Sequence, residues 1–327
     1  MLSPESMPSP ALSATGYSRR REAALAYLYI LPAAAVLLVF RLYPVANSLY
    51  ISFHKWFIAK DSFIGWENYR ELLGDAKFWL AWRVTIYYVL ASVPLTLAIA
   101  LVMAVILFRK LPLRGLYRTL YFIPYVTSLV AAAMVWRWIF DSQWGILNYV
   151  ITGLGGPRIA WFLEPRGIFQ QWALARGITL PDWAVGPSLA LLAVSGMSIW
   201  HYVGYDIVIY LAGLGNIPAE LYEAARIDGA DERQIFWRIT LPLLSPTTFF
   251  LSIMSTIGAF RSFNQFYVMT AGGPLGTTRT VAYFIFETFF DKTNVGYATA
   301  AAVVLFLAIL ALTIFQLRFG GRHVTYQ

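Results

Sequence analysis

Within residues 188–214, an otherwise apolar run, His201, Tyr202, Tyr205 and Asp206 stand close together. On a helix His201–Tyr205 and Tyr202–Asp206 are i,i+4 pairs, so the four side chains form two adjacent polar stripes. Tyrosine offers a ring face and a hydroxyl, the carboxylate accepts hydrogen bonds, and imidazole does either. Sites for hydroxyl-rich solutes combine such groups; hydrogen bonding between packed helices uses the same ones. A second set punctuates residues 246–270: Ser255, Ala259, Arg261, Ser262, Asn264 and Gln265. Ser255, Gly258, Ala259 and Ser262 share one helical face, which suits either close helix packing or a cavity wall. Arg261 would serve an anionic solute or act as counter-ion to Asp206.

Other chemistries are poorly supplied. The chain has no cysteine and three histidines, and no HExxH occurs, so thiolate chemistry is excluded and a multi-histidine metal site is not expected. None of the five lysines follows a glycine, so there is no Gly-Lys-Ser/Thr phosphate loop. No nucleophile–base pair or carboxylate cluster marks an enzyme. Gly272, Gly273 and Pro274 read as a turn, with no helix N-terminus evident behind them to cradle a phosphate. The chain is therefore expected to bind no cofactor of its own.

The elements that carry these residues follow from composition. Hydrophobic residues make up 59% of the 327 and charged residues 13%, against roughly 45–50% and 25% in soluble domains. Neither a soluble core nor a disordered chain accommodates that balance. The solvent is a bilayer. The net charge of +8, with many cations beside apolar spans, favours anionic lipid over nucleic acid. Six spans approach the roughly 20 residues that cross a hydrocarbon core: about 25–50, 79–108, 120–140, 188–214, 246–270 and 297–317. Arg41 and Pro44 interrupt the first, which lacks a clear cleavage site and reads as a retained helix, not a leader. Backbone groups in lipid must be satisfied internally, so the spans are helices, and the fold class is an all-α membrane protein. Arg109, Lys110, Arg114 and Arg118 between the second and third spans, with Arg19, Arg20 and Arg21 before the first, place both termini in the cytoplasm. The expected organisation is a disordered tail over 1–21, a six-helix domain over 22–320 and a short tail over 321–327. Residues 141–187, between the third and fourth spans, are expected to form short interfacial helices.

Residues 216–246, NIPAELYEAARIDGADERQIFWRITLPLLSP, are too polar to cross a membrane. They read as two short helices. Pro218 opens the first, Asp228 and Gly229 end it, Asp231 caps the second and Pro242 stops the pattern. On the residues alone, this is also a helix resting on lipid headgroups. Glu223, Ala224 and Ala225, then Gly229, then Ile239, Leu241 and Pro242 have the spacing of a longer pattern, and Asp228 and Ala230 fit its EAAxIDGA version. This stretch resembles the EAA loop of binding-protein-dependent ABC importer permeases of the carbohydrate type. REAALAYLYILPA, YPVANSLYISF, GWENYRELL, LYRTLYFIPYV and FYVMTAGGP resemble further segments of that family, over about residues 22–320. The start of the chain is similar to the first permease of such pairs.

The resemblance implies a type I ABC importer permease in a bacterial or archaeal inner membrane. The EAA coupling loop would lie between helices 4 and 5 of six. Glu223, Ala224, Ala225, Arg226, Asp228, Gly229 and Ala230 would meet a cytoplasmic ATPase, with Glu223 pairing to a basic residue there. Two such ATPases would hold ATP and Mg, and a second permease would complete a path for a sugar or sugar-like solute. The polar residues of the 188–214 and 246–270 spans, including Asn264 and Gln265, would line that path. An external solute-binding protein would dock at Gly272, Gly273 and Pro274. The alternative is a stand-alone secondary transporter; the lack of an evident internal repeat and the few buried acids argue against it.

Overall fold

The computed structural model describes residues 16–57, 62–108, 114–181 and 184–321. The expected tail over 1–15, Arg109 and Lys110 of the basic loop, and the C-terminal residues from 322 lie outside the described residues. Among those described, the β pairing is of isolated bridges, His54 with Phe63 and Gly167 with Ser188 among them. Everything else regular is helix.

Helix α1 (Gly16–Leu37) passes through a π-helical turn (Leu38–Leu42) into α2 (Tyr43–Ile51). The expected interruption at Arg41 and Pro44 is thus not a break. The widened turn puts Pro44 in the first turn of α2, where its missing N–H is tolerated. The helix also starts at Gly16, inside the stretch expected as a tail. Helix α3 (Glu67–Gly74) leads into α4 (Ala76–Phe108), 33 residues with Pro94 inside.

The expected third span is two helices, α5 (Arg114–Val126) and α6 (Leu129–Ile139), bent by 96°. Pro124 sits in the last turn of α5. The Thr127 hydroxyl donates to the Pro124 carbonyl at 2.7 Å, and Ser128 caps α6. A span that turns at hydroxyl-bearing residues keeps its freed backbone groups satisfied.

On the far side of α6, α7 (Ile146–Gly153) and α8 (Ile168–Leu174) are the expected short helices. Buried Asn148 ties their segment together. It donates to the carbonyls of Ser142 and Ile159 at 3.0 and 2.8 Å and accepts from the Ile159 N–H at 3.1 Å. Arg166 grips Glu164 with two nitrogens, at 2.7 and 2.8 Å, which holds that carboxyl down at about 2.

Helix α9 (Leu189–Gly215) is capped by Ser188. Helices α10 (Ala219–Ile227), α11 (Glu232–Ile235) and α12 (Leu241–Leu243) follow, the last two joined by a π-helical turn (Phe236–Thr240). Then come α13 (Ser245–Phe260), α14 (Asn264–Thr270), α15 (Val281–Phe286) and α16 (Val295–Phe315).

Among the described residues, three helical stretches are long and apolar enough to cross a membrane: Arg21–Ile51, Ala76–Phe108 and Val295–Gly320. Counting α5–α6 and α11–α13 each as one bent span raises this to five. Helix α9 has 27 residues, the length of a span, but its polar residues dilute it. It turns them inward: Ser195, Ser198, His201 and Asp206 are all buried.

Helices α4 and α9 pack side by side at the centre, and three apolar clusters surround them. Tyr88, Val194, Met197 and Phe266 join α4 and α9 to α6 and α14. Leu72, Phe78, Phe284 and Ala301 join α4 to α3, α15 and α16. Ala104, Tyr210, Leu214 and Leu251 join α4 and α9 to α13. Helix α5 crosses α9 at Gly204, where any Cβ would meet the Tyr121 carbonyl oxygen. The same helix has open space at Gly196. Gly204→Ala is expected to cost about 1–3 kcal/mol through overpacking, seen as a lower unfolding temperature in detergent. Gly196→Ala should leave that temperature unchanged or raise it, since alanine is the better helix former by about 1 kcal/mol. Equal effects of the two would refute the close α5–α9 contact.

Candidate functional site

One face each of α4, α9 and α13 encloses a cavity of about 240 Å³, with Tyr125 of α5 at its edge. Each face follows from helical spacing: Tyr88, Ser92 and Thr96 on α4, Ser198, Tyr202, Tyr205 and Asp206 on α9, and Ser255, Gly258 and Ala259 on α13, followed by Ser262. Tyr125 and Tyr205 stack with ring centroids 4.9 Å apart. The hydroxyl protons are mostly committed to the helices themselves. Ser92 donates to the Tyr88 carbonyl at 2.7 Å, Thr96 to Ser92 at 2.7 Å and Ser198 to Val194 at 2.8 Å. Ser262 donates to the Gly258 carbonyl at 3.2 Å. What those hydroxyls keep to offer is lone pairs. Asp206 is 2% exposed, and its Oδ2 has no hydrogen-bond partner. The wall is therefore rich in acceptors.

Of the residues singled out in the sequence, Tyr202, Tyr205, Asp206, Ser255, Ala259 and Ser262 line this cavity. Four others do not. His201 is buried against the rings of Tyr202 and Tyr125, and its Nδ1 finds no partner. Its i,i+4 partner Tyr205 faces the cavity, so the Tyr202–Asp206 stripe lines the cavity at both residues and the His201–Tyr205 stripe only at Tyr205. Gln265 is buried and donates to the Tyr88 hydroxyl at 3.1 Å, holding a lining side chain in place. Arg261 follows the last turn of α13 and is exposed, and among the described residues no ion pair joins it to Asp206. Asn264 is exposed at the start of α14, because the helix breaks after Phe260 and restarts in a new direction. Sequence reading missed the α4 wall and Tyr125. The available signal was Ser92 and Thr96, two hydroxyls one turn apart around Pro94 in an otherwise apolar run. Among the described residues no group of three His, Cys, Asp or Glu side chains gathers to hold a metal.

The loop after α9 is the expected helical hairpin. Helix α10 ends at Ile227, and Gly229 turns the chain with φ +78°, a left-handed geometry that glycine adopts freely. Asp231 accepts from the Gln234 N–H at 2.7 Å, and the Gln234 side chain accepts from the Asp231 N–H at 3.0 Å. This reciprocal cap fixes the start of α11. Glu223, Ala224, Arg226, Asp228 and Gly229 are exposed, while Ala225 and Ala230 are half-buried. Ile227 and Trp237 stand out as exposed apolar side chains. Pro242 does not stop the pattern as expected. It falls in the first turn of α12, after the π-helical turn, and the 60° bend comes at Leu244.

Gly272 and Gly273 make the expected turn after α14. Gly272 has φ +76° beside the Tyr283 ring. The Gly273 carbonyl accepts from the Thr278 hydroxyl at 2.7 Å, and the Thr278 and Thr270 hydroxyls are 2.7 Å apart. Leu275 at the tip is exposed. Arg279 and Glu287, 3.0 Å apart, brace the returning strand of the loop.

Comparison with known proteins agrees with this architecture. Residues 96–323 match the family described as binding-protein-dependent transport system inner membrane component. A trehalose/maltose transport system permease protein from Thermococcus litoralis is 32% identical over 94% of this chain and 97% of its own length. An sn-glycerol-3-phosphate transport system permease protein from Agrobacterium fabrum is 31% identical over 92% of this chain and 96% of its own. A chain in the crystal structure of a bacterial alginate ABC transporter, in complex with an alginate-bound periplasmic protein, shares the fold. Its TM-score is 0.78 at 20% identity, over 94% of this chain and 97% of that one. With the family profile spanning the α9 and α13 walls of the cavity, the hairpin and the glycine turn, the chain belongs to the binding-protein-dependent transport system inner membrane components, the permease subunits of ABC importers.

Proposed function

We propose that this permease forms, with a second homologous permease, the membrane path of an importer for a sugar or sugar-like solute. The observation that carries the reading is the tyrosine-walled, acceptor-rich cavity of α4, α9 and α13. Sugar hydroxyls donate to such acceptors, and pyranose faces lie against tyrosine rings. At about 240 Å³ the cavity is smaller than the roughly 300–1,000 Å³ of a complete small-molecule site. A second permease would supply the rest. The apolar grooves beside Phe122, Ile123 and Val208, and beside Val135 and Trp200, give it a surface to cover.

The hairpin is connected to the cavity by the helices that wall it. Asp206 lies about 14 Å of helix from Gly215, where the hairpin begins. At that end Gly213 lets α9 approach Leu244 and Thr247 closely. A displacement of the hairpin therefore moves α9 and α13 together. We assign Glu223, Ala224, Ala225, Arg226, Asp228, Gly229 and Ala230 to contact with a cytoplasmic ATPase, two copies of which bind ATP and Mg. ATP-driven closure of the ATPase pair would draw the hairpins together and turn the cavity outward. Gly272, Gly273 and Pro274 would meet the external binding protein. This reading takes α9 as one of six spans, with both termini and the hairpin on the cytoplasmic side.

Mild-detergent purification from the host, followed by mass spectrometry, is expected to recover a Walker A ATPase and a second permease with an EAA loop. Recovery of this chain alone, with ATP-independent uptake in liposomes, would refute the reading. Glu223→Lys is expected to lower ATP-driven uptake at least tenfold while the protein remains in the membrane; uptake at the wild-type rate would remove the hairpin from coupling. Gly258 has open space where a side chain would go. Gly258→Leu should fill part of the cavity and cut uptake at least tenfold in a complex that still assembles. Uptake equal to wild type would show that solute does not pass this face.

A further inference from the structure

We propose that the cavity discriminates by charge: it takes neutral or amino sugars, whose hydroxyl or ammonium protons Asp206 accepts, and rejects phosphorylated and uronic solutes. This inference rests on the carbohydrate reading above and narrows it.

Three observations carry it. The first is Asp206 itself, 2% exposed, on the cavity wall, with Oδ2 unpartnered. A buried carboxyl oxygen without a partner is costly, and a bound solute that donates to it relieves that cost. The second is the direction of the wall hydroxyls. Ser92, Thr96, Ser198 and Ser262 have donated their protons to helix carbonyls, so toward the cavity they are acceptors. A phosphate or carboxylate has only lone pairs to bring, and would meet lone pairs and a carboxyl. The third is the absence of a cation among the described lining residues. Arg261, the basic residue nearest in sequence on α13, is exposed beyond the helix end, and Arg118 opens on the groove outside α5. The phenols of Tyr88, Tyr125, Tyr202 and Tyr205 and the hydroxyl of Ser255 are the donors that remain, and a neutral hydroxyl does not balance an anion as a guanidinium does.

The test is direct binding to the purified complex of both permeases and the ATPases, with the binding protein omitted so that its own selectivity does not enter. Saturation-transfer NMR suits the weak affinities involved. The probes are maltose, trehalose, lactose, glucosamine, sn-glycerol-3-phosphate and digalacturonate. Signal is expected from one or more of the neutral or amino sugars and from neither anion. Asp206→Asn should weaken that binding at least tenfold, and Asp206→Glu, which keeps the carboxyl, less. Thermal unfolding of both variants in detergent separates loss of binding from loss of fold. Binding of glycerol phosphate or digalacturonate by the wild type would overturn the charge rule while leaving the carbohydrate reading in place. Unchanged binding by a folded Asp206→Asn would overturn the role of Asp206. Failure of every sugar to bind, neutral and charged alike, would overturn the carbohydrate reading and this inference together.

Discussion

A buried polar group without a partner is costly, so the polar face of α9 has to be satisfied or covered from within the chain. Ser195 and Ser198 meet that demand locally, by donating to carbonyls one turn back on their own helix. His201 is enclosed by aromatic rings. Asp206 has no such solution within the chain. Helices α4 and α13 close around it, and the space they leave is the cavity. The arrangement of α4, α9 and α13 thus gives one buried carboxyl a cavity to face. An acid retained on those terms is a candidate functional group.

The same constraint explains the broken helices. The expected third span carries Tyr125 in the last turn of α5, just before its bend. Pro124, Thr127 and Ser128 bend it by 96° and pay for the bend in local hydrogen bonds. Gly204 then allows α5 to touch α9 backbone to backbone, which brings Tyr125 onto Tyr205. Gln265 acts at the opposite wall, fixing the Tyr88 hydroxyl from α14. Two of the four cavity tyrosines are therefore placed by residues that do not line the cavity.

How much of this was legible in the sequence depends on the range of the cause. The hairpin was readable almost residue by residue, because Gly229 and the Asp231 cap act within a turn of themselves. Three spans, and two more if each bent pair is counted as one, were readable from apolar length, while α9 is diluted by its polar residues. The bend in the third span was not readable, since a proline near a helix end is compatible with a kink, a cap or no effect at all. Pro242 shows the converse error: a proline expected to stop a helix is absorbed by a π-helical turn before it. Within the site, the residues of α9 and α13 were visible as polar interruptions. The α4 wall was harder to see because serine and threonine hide their polarity in backbone hydrogen bonds. The split between lining Tyr205 and packed His201 depends on where α5 sits, and no local pattern states that.

The position of Arg261 bears most on what such a cavity can hold. In the sequence it stands only a few residues from Ser255, Ala259 and Ser262. The structure ends α13 at Phe260 and restarts at Asn264, and Arg261 between them is exposed. Ala259 and Ser262 on either side of it line the cavity, so helical phase, about 100° per residue, and not depth sets the guanidinium apart. Among the described residues no ion pair joins it to Asp206, whose carboxyl faces the cavity without it. Sequence inspection weighs both ions equally. The face on which each side chain emerges separates them, and the electrostatic character of the cavity follows from that separation more than from composition.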